Sequence, residues 1–106
     1  MTKEFFALRL AKLRQQKGIS AQAMSRMLGM ADNYIASIEN RKSYPSMEMF
    51  GYICEYLDIT PQEFFEEEND CPSRLRELMT EAKKLPAESI ELVVQLTKTL
   101  NQTKAK

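Results

Sequence analysis

The residues best placed to do chemistry lie between Ala21 and Ile38. Two short apolar-faced segments meet there across a single glycine, Gly29. Two helices that cross steeply need a small side chain where they touch and a corner residue that tolerates positive φ. Ser25 and Gly29 fit those roles, with Met24, Leu28, Met30, Ile35 and Ile38 as the buried tripod. If Ile35 and Ile38 face inward, then Asp32, Asn33, Ala36, Ser37 and Asn40 face outward. The chemistry of that outward set is hydrogen bonding to another surface, such as base edges in a major groove. It contains no Lys or Arg.

Bond-making chemistry finds little support elsewhere. The chain has no histidine, which removes an imidazole base, Ser-His and Cys-His pairs, and His-containing zinc sites. No glycine-rich phosphate loop is present. Cys54 and Cys71 form no close-spaced motif and read as reduced thiols, one in the core and one in a loop. The reading is of a protein that is not an enzyme and needs no metal, cofactor or small-molecule ligand. No segment approaches a membrane span and the amino terminus lacks the order of a signal peptide, so the expected location is the cytoplasm.

The net charge of zero conceals a segregation. Eight basic residues face three acidic ones from Met1 to Lys42; Ser43 to Pro72 has eight acidic residues and no basic one; the remainder has seven basic and four acidic. A basic first part suggests one face for a polyanion. Lys12, Lys17 and Arg26 nevertheless read as a solvated face before they read as phosphate anchors.

The elements that must position these residues are helical. Phe6, Leu10 and Leu13 mark a first helix that Gly18 stops. Ser20 caps a second, buried through Met24, Met27 and Leu28. A third carries Ile35 and Ile38, with Ala31 four residues before Ile35. Ser46 opens a fourth, buried through Phe50, Ile53, Cys54 and Leu57. Thr60-Pro61-Gln62-Glu63 predicts a capping box with proline at the first helical position, opening a short fifth helix that contributes Phe64 and Phe65. Glu66 to Pro72 predicts an exposed acidic linker. Leu75, Leu78, Met79 and Ala82 form one further stripe, and Ile90, Val93, Val94, Thr97 and Leu100 another, separated at Pro86.

Leu10-x-x-Leu13-Arg14, Lys17-Gly18-Ile19-Ser20, Met27-Leu28-Gly29-Met30, Tyr34-Ile35 and Ile38-Glu39-Asn40 together resemble the Cro/lambda-repressor type, or XRE family, of helix-turn-helix proteins. Pro45-Ser46 and the run from Leu57 to Phe64 continue the resemblance, which covers roughly residues 6 to 65. It implies that Arg14 and Glu39 form a salt bridge locking the first helix to the end of the recognition helix. It implies DNA phosphate contacts from Gln22, Tyr34, Asn40, Arg41 and Lys42, and base contacts from Asp32, Asn33, Ala36 and Ser37. An Asn can bind adenine bidentately and a Ser can donate to several bases.

Three positions depart from the family pattern. Ala21 stands where a Gln usually opens the second helix, with Gln22 one residue later. Ala31 stands where a Ser or Thr usually caps the recognition helix. Arg41 stands where a left-handed Gly usually follows, a conformation that costs a non-Gly residue on the order of 1 kcal/mol unless Asn40 adopts it instead.

The predicted architecture is all-α: a five-helix Cro/lambda-repressor-like helix-turn-helix domain over residues 1–66, an acidic linker over 67–73, a two-helix hairpin over 74–101, and a frayed tail over 102–106. The implied function is a transcriptional regulator, a repressor by expectation, that binds double-stranded DNA as a homodimer joined through the hairpin. The alternative is a protein-interaction module, an antitoxin or adaptor, that keeps the fold with weak or no DNA binding.

Overall fold

A computed structural model describes residues 2–104, which contain seven helices and no strand. Each helix begins and ends for local reasons. Helix α1 (Lys3–Lys17) starts where the Thr2 hydroxyl accepts a hydrogen bond from the Phe5 amide, and stops at Gly18, whose φ is +75°. Helix α2 (Ala21–Met27) is capped by Ser20, and α4 (Met47–Leu57) by Ser46. Between them lies α3 (Tyr34–Glu39). Helix α5 (Pro61–Phe64) carries the full Thr60/Glu63 capping box with Pro61 at its start. Helices α6 (Pro72–Ala82) and α7 (Ala87–Lys104) follow.

The chain divides into two compact units, residues 1–73 and residues 74–106. The core of the first is built from Phe6, Leu10 and Leu13 of α1, Met24 of α2, Ile35 and Ile38 of α3, and Phe50, Ile53, Cys54 and Leu57 of α4, closed by Ile59 and Phe64. Phe64 is fully buried, with its ring centroid 4.8 Å from Phe6 and 5.1 Å from Phe50. Burial of a side chain of this size contributes roughly 1.5–3 kcal/mol, so a four-residue helix is held by packing and not by its own length. Burial pushes the Cys54 thiol up to about 11, as expected of a core cysteine, while Cys71 is exposed.

Several expectations are corrected. Met27 is 66% exposed. The buried arc of α2 is centred on Met24 and Ser25, and Ser25 lies on the opposite side of Met24 from Met27. Ala31 precedes α3 and is exposed, because the chain is still turning there. Phe65 lies beyond the end of α5 and is 43% exposed, stacked on Phe5 at 6.3 Å.

The acidic linker is exposed at Glu66–Glu68, Asp70 and Cys71, but Asn69 is half-buried and Pro72 buried, so it is tied to the first unit. Arg9 of α1, a buried residue outside the expected Phe6/Leu10/Leu13 stripe, donates to the carbonyls of Phe64 (2.6 Å), Glu63 (2.8 Å) and Asn69 (2.7 Å). Lys12 pairs with Asp70 at 2.6 Å, and Pro72 is buried. The first unit therefore extends through the linker to residue 73, beyond the expected end at 66.

In the second unit Ala82, Ile90 and Val93 are half-buried. Leu75, Leu78, Met79 and Leu100 of the two expected stripes are exposed. So are Leu92 and Leu96, which lie on a further face of α7 outside the two expected stripes. Helix α7 runs to Lys104, past the expected start of the tail at 102; residues 105 and 106 lie outside the described residues. No helix among the described residues is long and apolar enough to cross a membrane.

Candidate nucleic-acid interface

Helices α2 and α3 pack directly on each other, and α3 also packs on α1. The turn between α2 and α3 is set by Gly29, whose φ is +73°. A Cβ there would meet nothing within 4 Å, so the backbone angle requires the glycine and not the space around it.

Helix α3 has no capping side chain of its own. Asn33 occupies the N-cap position with φ −96° and makes no side-chain cap bond. The cap comes from α2 instead. The Ser25 hydroxyl, fully buried, accepts from the Ile35 amide at 3.0 Å and donates to the Ala21 carbonyl at 2.8 Å. Ser25 is therefore both the small residue at the crossing and the polar link across it. A mid-helix Ser opposite a helix lacking a local cap was the available signal, and a reading based on size alone misses it.

At its other end α3 is tied to α1. Arg14 Nε lies 2.7 Å from Glu39 Oε2 and Nη2 lies 2.9 Å from Oε1, while Nη1 donates to the Ile19 carbonyl at 2.8 Å. The two side chains are only 13% and 14% exposed. The hydrogen bonds to Glu39 raise the Arg14 guanidinium above its ordinary value, which keeps Arg14 charged.

With Ile35 and Ile38 buried, Asn33 at the N-cap of α3 is exposed and Ala36 and Ser37 are half-buried. Tyr34 is half-buried against the core, and burial raises its phenol. Asn40, Arg41 and Lys42 are exposed just beyond α3. Arg41 itself takes the left-handed conformation at φ +63°, while Asn40 stays at φ −89°. Its guanidinium lies 3.8 Å from the Glu4 carboxylate.

The other end of this surface holds a contact absent from the sequence reading. Asp32 accepts from Arg26 through both oxygens, at 2.9 and 3.0 Å, and from the Gln22 amide at 3.1 Å. Gln22 and Arg26 are four residues apart on the outer face of α2, and all three residues are exposed. The bonds from Arg26, then from Gln22, hold the Asp32 carboxyl below its ordinary value, so it remains an anion. Asn33, Ala36 and Ser37 thus lie between a neutralised cluster at one end and two basic residues at the other.

A family model described as a helix-turn-helix domain matches residues 8–70, more than half of the chain. No curated protein and no solved structure matches.

Proposed function

This chain belongs to the helix-turn-helix domain family, and from that premise we propose that it binds double-stranded DNA sequence-specifically and represses transcription. The observation that carries the reading is the fixed orientation of α3. Ile35 and Ile38 are buried, Ser25 anchors the start of the helix and Arg14 anchors its last residue, so Asn33, Ala36 and Ser37 are presented as one rigid edge. In this reading that edge, with Asp32 beside it, enters the major groove, and Gln22, Tyr34, Asn40, Arg41 and Lys42 hold the flanking phosphates. The finer assignment is to the Cro/lambda-repressor type, a five-helix domain followed by a two-helix hairpin.

One such domain contacts few phosphates, so two copies on half-sites about one helical turn apart form the working unit. The exposed Leu92 and Leu96 of α7, with Leu75, Leu78 and Met79 of α6, supply the apolar surface for a two-fold contact.

The test is binding to genomic fragments enriched on the protein, followed across salt concentration. Asn33→Ala should weaken the selected site by roughly 1–3 kcal/mol and leave random duplex nearly unchanged. Equal losses on both would make Asn33 a backbone contact or a folding residue. The second reading, an antitoxin or adaptor, is favoured by the absence of Lys and Arg from the exposed edge of α3. Salt-insensitive or absent DNA binding by the folded chain would select it.

A further inference from the structure

Arg26 and Gln22 form the most developed polar cluster on the outer face of α2. Their donors converge on one carboxylate. The Arg26 edge presents Nε and Nη2 side by side to the two oxygens of Asp32, and the Gln22 amide adds a third bond to Oδ2. A planar fork of two parallel N–H groups plus a neighbouring amide is also a donor set that suits two oxygens of a phosphodiester. The cluster is exposed throughout, with side chains of Arg26 and Asp32 at 64% and 53% exposure, so a second anion can reach it. Nothing about the core requires the arrangement, because none of the three side chains is buried.

We propose that the Asp32 carboxylate is an internal stand-in for a DNA phosphate: it occupies an anion cradle formed by Gln22 and Arg26 and is displaced when that cradle takes the DNA backbone. The proposal rests on the DNA-binding reading above and adds Arg26 to its phosphate contacts. Asp32 lies immediately before Asn33, on the turn leading into α3. Exchange of carboxylate for phosphate therefore takes place beside the residues that face the bases. A duplex that engages only the backbone must compete with Asp32 without base contacts to help it. The carboxylate thereby lowers affinity for all DNA and penalises non-specific complexes by the larger fraction of their total binding.

The experiment is a double-mutant cycle on the full chain, with Asp32→Asn, Arg26→Gln and the double variant, titrated with a random-sequence duplex by fluorescence anisotropy from 50 to 200 mM salt. Asp32→Asn should tighten binding and steepen the logarithmic salt dependence by about 0.9, one additional phosphate contact. Arg26→Gln should abolish most of the gain in the Asp32→Asn background and weaken the wild-type background by a smaller factor, because Asp32 there competes with the phosphate for the same guanidinium. An equal gain from Asp32→Asn with and without Arg26 would mean only that one negative charge had been removed, and would overturn the proposal. Weaker binding by Asp32→Asn would make the carboxylate a positioning group for Arg26, with the same consequence. If wild type and all variants remain helical by circular dichroism yet bind no duplex at 50 mM salt, the DNA-binding reading itself fails and this proposal with it.

Discussion

The Ser25 hydroxyl of α2 and the Ile35 amide of α3 are joined by a 3.0 Å hydrogen bond that spans ten residues and lies wholly inside the protein. It satisfies one of the amides that the start of any helix leaves without an intrahelical partner. The same oxygen donates back to Ala21, so both of its polar roles are used.

Ser25→Ala keeps the small volume at the crossing and removes only the hydroxyl. It leaves the Ile35 amide buried and unpaired, which should destabilise the fold by about 1–3 kcal/mol. Urea unfolding at unchanged m-value is the measurement. A shift below about 0.5 kcal/mol would show that the crossing needs only a small residue.

The ion pair between Arg14 and Glu39 is set between two helices at low exposure. Removing one member leaves the other charge partly buried without its partner, so Glu39→Ala and Arg14→Ala should each cost about 3–5 kcal/mol. Thermal melts of the two single variants and the double variant should be strongly non-additive. Two small, additive losses would place the pair among surface contacts that contribute little.

Arg41 bears a side chain at φ +63°, where glycine is at ease. Arg41→Gly relieves on the order of 1 kcal/mol of strain, part of which the greater freedom of the unfolded chain cancels. The 3.8 Å contact with Glu4 is exposed and its loss should cost almost nothing. Stability should therefore rise slightly while affinity falls equally for selected and random DNA, with a shallower salt dependence. A variant that is more stable and binds equally well would remove Arg41 from the phosphate contacts.

Leu92 and Leu96 are 72% and 59% exposed on one face of α7. If that face joins two copies, the double variant Leu92→Glu/Leu96→Glu should halve the mass measured by light scattering. It should also weaken binding to a two-half-site duplex while leaving single-site affinity unchanged. A wild-type chain that is monomeric at the concentrations where it binds DNA would refute the contact.

Much of the first unit could be read along the chain because its determinants are local. The Thr60/Glu63 capping box, the positive φ at Gly18 and Gly29 and the buried Phe6/Leu10/Leu13 stripe all depend on neighbours within one or two turns. A helix of period 3.6 with a cap at one end and a glycine at the other declares its boundaries in its own residues. Other features depended on which distant groups came to share a site. The carbonyls of Glu63, Phe64 and Asn69 meet Arg9 because α5 packs beside α1, and that contact ties the acidic linker to the first unit. The cap of α3 arrived from Ser25, and rotation of α2 towards that contact left Met27 outside. Asp32 met Arg26 and Gln22 because the Gly29 corner returned the chain to the outer face of α2. Apolar periodicity is insensitive to such contacts. It states which face is buried, whereas hydrogen-bond partners are selected by direction at about 3 Å, and those directions are defined only once the helices have packed.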